Sequence, residues 1–322
     1  MATTDLRSVL TAELFQGMVD SSIPYSTTEP IDFSDVIAGM FGGASGGAET
    51  WESLKDSAWA ALKALSELGV DKAEDFDFQR YLPPPEDASF LAQSLGFILL
   101  LDQAPRRLCH GLDSRYTDAY FAVYALRLFR YLHEDPALPT ELRPTSWTRW
   151  EAAVGAASFD YFIAARLSFN AVLAHNESTA KECLAFTEEA RVLVEQRFGV
   201  RDPHRDEPDK RWDLYGFPKI IASAASAGGG SGLPKGPMGV VEGWFWLAWL
   251  VDVHYPILER YGRYPYRNGA MGRTSTVEEE AWVEKAAVFP QLPADVRDHM
   301  RMDAENGRWS PLGAEIKKTV SE

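Results

Sequence analysis

The chain has 322 residues, 46% of them hydrophobic, and a formal net charge of -15. That is enough apolar material for a large core in one or two domains. So acidic a chain repels phosphate backbones, which excludes a broad nucleic-acid surface and leaves only small local clusters of arginine for any contact with RNA. Its two cysteines, Cys109 and Cys183, are too few for a disulfide framework and are expected as buried thiols in a reducing compartment.

Up to about residue 48 apolar residues are scattered, and the glycine-rich stretch Gly39–Gly47 reads as a flexible loop without phosphate-loop spacing. Trp51, Leu54, Ala58, Leu62 and Leu65 recur at helical intervals, which predicts a helix over 51–69 with Gly69 as its C-cap. Pro83, Pro84 and Pro85 stop the chain. Asp87 or Ser89 then caps a helix from Phe90 to Leu101 that is apolar nearly all round and therefore central. Pro105 breaks or kinks it. A further helix is expected over 114–133, capped by Ser114 or Thr117, then a loop carrying Pro136, Pro139 and Pro144.

Helices follow near 147–156, 159–174 and 177–198, the last closed by Gly199. Two polar loops, 201–213 and 228–237, read as lids over a site or as disordered segments. An aromatic helix is expected over 238–261, a capped helix start at Ser275–Glu279, and a polar tail from 286. The longest apolar run, Trp244 to Val251, is far short of the roughly 20 residues of a membrane span, and no leader pattern opens the chain. No segment alternates as strands do. The expectation is an all-α, cytoplasmic protein built as a solenoid-like stack of antiparallel helix pairs with long irregular loops. Its parts are a divergent segment 1–50, a helical domain 51–285 and a tail 286–322.

Three constellations carry chemistry. Asp102 and Gln103 precede Pro105-Arg106-Arg107 at the end of a buried helix; Asp102 either pairs with Arg106 to hold the corner or faces a cleft. His175 and Glu177 offer a base and its orienter, although Asn176 as a helix cap and His175 as a satisfied side chain is the plainer alternative. Position 179 is Thr, so the helical zinc pattern is absent. Arg260, Arg263, Arg267 and Arg273 interleave with tyrosines in a loop stiffened by Pro265 and Gly272. Such forks suit a carboxylate or phosphate, unless they bridge helix ends. No metal cluster, Walker loop, serine-nucleophile elbow or dinucleotide motif is present, so no metal or cofactor is expected.

The segments Phe97-Ile-Leu-Leu-Leu-Asp-Gln-Ala-Pro-Arg-Arg107, with Gly111 and Asp118, then His175 and Glu177, then His254 through Arg273 with Ser275, Thr276, Glu278 and Glu279, resemble the domain-of-unknown-function family 924 in order and spacing. The family's motifs read Leu-Asp-Gln-Phe-Pro-Arg-Asn, His-Ser-Glu and Gly-Arg-Phe-Pro-His-Arg-Asn. The chain departs from them at Arg107, Asn176 and Tyr266, and the family's Phe-Trp-Phe-Gly opening has no counterpart. It looks like a diverged fungal branch. The resemblance implies a tetratricopeptide-like fold.

The chain is also similar to the fungal arginine-containing cyclodipeptide synthases. That likeness implies condensation of arginine with a second amino acid, both delivered on aminoacyl-tRNA, into a cyclic diketopiperazine. Under it His175, Glu177 and Asp102 are the catalytic candidates. Asp102, Asp118 or Glu177 would grip the substrate guanidinium, Arg106, Arg107, Arg263, Arg267 and Arg273 the tRNA end, and Asn268 and His254 would complete the substrate-binding set. Two alternatives stand beside it: a non-catalytic helical module gripping an acidic peptide, and a hydrolase or isomerase of a small anionic metabolite.

Overall fold

The helical spacing is realised throughout. The computed structural model describes residues 5–41, 45–69, 75–225 and 236–313, and among them there is no strand. In chain order come α1 (Ala12–Ser22), α2 (Phe33–Met40), α3 (Ala48–Ser66), α4 (Phe90–Asp102) and α5 (Ala104–Leu108). The short α6 (Ser114–Tyr116) passes through a π-helical turn (Thr117–Phe121) into α7 (Ala122–His133). Then follow α8 (Trp147–Ala153), α9 (Phe159–His175), α10 (Ala180–Phe198), α11 (Pro208–Arg211) and α12 (Gly216–Ala225). The set ends with α13 (Val240–Asp252), α14 (Tyr255–Tyr261), α15 (Val277–Ala286) and α16 (Ala294–Glu305).

Two helices are buried on nearly every face. In α4 the run Leu95 to Asp102 is wholly buried, and α9 is buried from Phe159 almost to its end. An all-apolar circumference requires neighbours on all sides: α1, α7 and α9 pack on α4, while α10 covers α9 and is covered in turn by α13. The α1–α4 crossing is close because position 96 is glycine. A Cβ there would lie 2.0 Å from the Phe15 carbonyl oxygen, and Phe15 stacks on Phe97 with ring centroids 4.6 Å apart. A smaller core of Ile257, Leu258, Tyr264, Trp282 and Ala286 ties α14 to α15. Both cysteines are free, buried thiols, and burial pushes that of Cys109 up to about 12. Among the described residues no helix is long and apolar enough to cross a membrane.

Several boundaries follow the local signals. Pro105 ends α4 and becomes an early residue of α5. Gly199 closes α10 in the left-handed conformation. Thr276 and Glu279 form a reciprocal capping box on α15.

Others differ. The helix predicted over 51–69 ends at Ser66, capped by Glu67 rather than Gly69. Thr117 is not an N-cap; it follows α6 as the first residue of the π turn, and its hydroxyl donates to the Pro105 carbonyl. The single helix expected over 238–261 is two, because Pro256 has no N–H to give the Asp252 carbonyl and α14 must start afresh. The tail carries a helix, α16, whose Asp303 pairs with Arg115 at 2.9 Å.

The charged loop 201–213 is not a lid. Arg191, fully buried, reaches Asp202 at 2.7 Å and Asp252 at 2.6 Å; Arg211 also binds Asp252, and Arg205 binds Glu188 and Glu195. These pairs fasten the loop to α10 and α13. The second expected lid, 228–237, lies outside the described residues except at its end, as do 42–44 of the glycine-rich loop.

Candidate active site

The end of α4, the restart at α5, the π turn and the end of α9 converge on one polar cluster. Asp102 is the last residue of α4 and its side chain is 1% exposed. A carboxylate buried this deeply must be paired. His175, the last residue of α9, provides the partner, with Nδ1 at 2.9 Å from both oxygens of Asp102. Gln103 adds a side-chain N–H to Asp102 at 2.5 Å. The expected Asp102–Arg106 pair exists, but only at 3.7 Å.

Arg106 turns instead to Asp118, donating from both terminal nitrogens to Oδ1 at 3.3 and 3.4 Å. Arg267 reaches the same oxygen at 3.2 Å. Asp118 projects from the π turn, a distortion common at functional sites. Its Oδ2 has no partner among the described residues. The two carboxylates and two guanidiniums cancel, so the cluster is close to neutral overall.

The proton on His175 can be assigned by electrostatics. Arg106 Nε also points at Nδ1, at 3.1 Å. One atom cannot accept from Arg106 and donate to Asp102 at once. Burial opposes ionisation of Asp102, yet His175, Arg106 and the Gln103 bond bring its carboxyl down to about 2. A bare lone pair 2.9 Å from an ionised carboxylate is repelled, so Nδ1 carries the proton toward Asp102. Nε2 is then the basic nitrogen, and it has no hydrogen-bond partner among the described residues. Burial and the Arg106 charge both lower the His175 pKa, so the ring is neutral at pH 7.

The arginine–tyrosine loop does not offer free forks for an anion, because each of its four arginines already holds a carboxylate. Arg260 binds Glu278, Arg263 grips Glu279 at 2.6 and 2.8 Å, and Arg267 takes Asp118. Arg273 grips Glu177 at 2.6 and 2.9 Å. The loop instead completes the end of α9, whose last carbonyls lack helical partners. Tyr264 Oη donates to the Ala174 carbonyl and Arg267 to the His175 carbonyl, each at 2.6 Å. A cation at a helix C-terminus is favourable, and the Arg267 guanidinium also lies over the Tyr264 ring, 4.3 Å from its centroid. Asn268 donates to Ser275 and Glu279, inside the loop.

Glu177 therefore does not orient His175. It accepts from Arg273 and from the Tyr264 backbone N–H at 2.8 Å. Asn176 holds the N-cap position of the 3-10 turn Glu177–Thr179 but makes no side-chain cap bond; its side chain donates back to the Val172 carbonyl. His254 lies at the edge of the cluster. Its Nδ1 bonds to the Leu250 carbonyl at 2.7 Å, its ring packs on Phe217, and burial holds its pKa down to about 3. Arg107 is elsewhere, on Trp51 and the Gly39 carbonyl. The fold brings Asp102, Arg106, Asp118, His175 and Arg267 together, and nothing in the sequence showed that Asp102 and His175 pair directly.

No curated protein and no solved structure matches the chain. A family profile does, over residues 70–287, a stretch that contains the cluster and its supporting loop. By that match the chain belongs to the family described as bacterial protein of unknown function, DUF924.

Proposed function

We propose that the cluster is the active site of an acyl-transfer enzyme with His175 as general base, and that its acyl donors are aminoacyl-tRNAs, one of them charged with arginine. The observation that carries the reading is the Asp102–His175 pair, which fixes one tautomer and leaves Nε2 as an unengaged base.

In this reading Nε2 removes a proton from the α-ammonium group of one aminoacyl ester, a group of ordinary pKa about 7.7–8.0. The freed amine attacks the carbonyl of the other ester. The ester C–O bond breaks, the imidazolium returns its proton to the departing ribose oxygen, and the neutral imidazole then takes the second proton from the attacking nitrogen, leaving the amide, and passes it to solvent. The same sequence within the resulting dipeptidyl ester closes the diketopiperazine and releases the second tRNA. Asp118 Oδ2, unpartnered on a side chain 12% exposed, is the acceptor for the substrate guanidinium. The near-neutral cluster suits a cationic substrate better than the small anionic metabolite of the hydrolase reading. The peptide-binding reading loses its gripping residues, since Arg260, Arg263, Arg267 and Arg273 are all paired.

The test is incubation with arginine, a panel of second amino acids, tRNA and the matching synthetases, with mass detection of cyclo-Arg-Xaa. Product that vanishes with ribonuclease and with His175→Ala supports the reading. No product across the panel, or product that survives ribonuclease, overturns it.

A further inference from the structure

Arg106 and Arg107 are neighbours in sequence, but successive helical residues point about 100° apart. Arg106 joins the charged cluster. Arg107 emerges on the far side of the α4–α5 junction, where α1, α2, α4 and α9 leave a pocket between them. With the open solvent at its mouth counted in, about 480 Å³ of empty space lies within it. Its walls are aliphatic: Ile23, Val36, Leu99 and Leu167. Among the described residues no aromatic side chain lines it.

Among the described residues Arg107 is the only charged one in that lining. Its guanidinium rests on Trp51, 4.8 Å from the ring centroid, and one terminal nitrogen donates to the Gly39 carbonyl at 3.2 Å. Nε and Nη1 have no partner among the described residues, and no carboxylate pairs with Arg107 there. Two nearby arginines answer to an acid instead: Arg106 to Asp118 and Arg115 to Asp303. A half-buried cation without a counter-charge is costly to keep. Its only resolved influence is burial, which lowers its pKa with no acid to restore it. Two lining hydroxyls, Ser22 and Ser168, make no hydrogen bond among the described residues either.

We propose that this pocket binds a small aliphatic monocarboxylate, its carboxylate on the Arg107 fork and its chain among Ile23, Val36, Leu99 and Leu167. A planar guanidinium with free donors matches a carboxylate in geometry and charge. A phosphate dianion would need more than the single cation this lining supplies. Aliphatic walls without an aromatic platform select a saturated chain over a ring. The pocket is separate from the charged cluster, although Gln103 lines it and also donates to Asp102. Its occupancy does not depend on the reaction proposed for His175.

The probe is hexanoate, titrated into the full chain by calorimetry, with hexanol and inorganic phosphate as comparisons. Expected are saturable hexanoate binding, hexanol weaker by about 10- to 100-fold for want of the charged contact, and no displacement of hexanoate by phosphate. Arg107→Met should weaken hexanoate by the same factor. Ala171→Leu, which fills the pocket and leaves Arg107 in place, should abolish binding. Equal affinity for hexanol, displacement by phosphate, absence of hexanoate binding, or undiminished binding by either variant overturns the assignment. The hexanoate–hexanol comparison uses the unaltered chain, so it decides the matter even where a variant fails to fold.

Discussion

His175 Nδ1 lies 2.9 Å from both carboxylate oxygens of Asp102, across 73 positions of sequence. The contact joins the last residue of α4 to the last residue of α9. Both helices are buried and packed on one another, so neither partner can drift without moving the core.

Asp102→Asn keeps the shape of this contact but removes the charge that fixes the imidazole tautomer. If the proposed reaction is the protein's own, its rate should fall by about 100-fold or more, while helical content measured by circular dichroism stays the same. A rate within a few-fold of the parent would remove Asp102 from the mechanism.

Glu177→Gln should behave differently. Glu177 holds Arg273 in a two-point grip and receives the Tyr264 N–H, and it does not touch the imidazole. The substitution weakens an ion pair that is about one-fifth exposed, so a stability loss on the order of 1 kcal/mol is expected in urea unfolding. The pH profile of the rate should keep its shape. A displaced profile would make Glu177 the orienter of the base after all.

Acid should destabilise the protein well above the carboxylate range. Burial lowers the pKa of His133 to about 4 and of His254 to about 3, and lowers that of His175, all from 6.5. As pH falls below 6.5 the unfolded chain binds protons at these imidazoles that the folded chain refuses. Protons therefore favour unfolding, by at most about 1.4 kcal/mol per pH unit for each such group. Stability is full above pH 6.5 and declines toward pH 4, where His133 begins to titrate in the fold. Urea midpoints at pH 7 and pH 5 check this; equal midpoints would mean that these rings are charged in the native state.

Arg191→Met removes the group that bridges Asp202 and Asp252, both fully buried. Asp252 keeps Arg211, but Asp202 loses its cation; an uncompensated buried carboxylate costs about 3–5 kcal/mol, so the urea midpoint should drop sharply. Limited proteolysis should then cut within 201–213, which the parent protects. An uncleaved loop in a destabilised variant would show that the loop is held by other contacts.

Much of the fold was legible in local chemistry. The apolar circumference of Phe90–Leu101, the punctuation at Pro105 and Gly199 and the Thr276–Glu279 box each act within a turn or two of chain, and each appears as expected. What escaped was set by partners distant in sequence. His175 has an acid two positions away, yet its partner comes from α4, because Glu177 is drawn off by Arg273. The loop arginines look like an anion trap until Glu177, Asp118, Glu278 and Glu279 fold back onto them. The charges of 201–213 resemble a solvated loop because nothing in that stretch shows that Arg191 waits inside α10.

The π turn at Thr117–Phe121 has one more consequence. A wide turn accommodates one residue more than an α-helical turn would. Deleting a single residue there could restore a regular helix with all its backbone bonds, but everything on the α6 side would swing by about 100° relative to α7. Asp118 would leave Arg106 and Arg267, and Arg115 would leave Asp303. One surplus residue thus sets the rotational phase between the two halves of this helix, and the charged cluster depends on that phase.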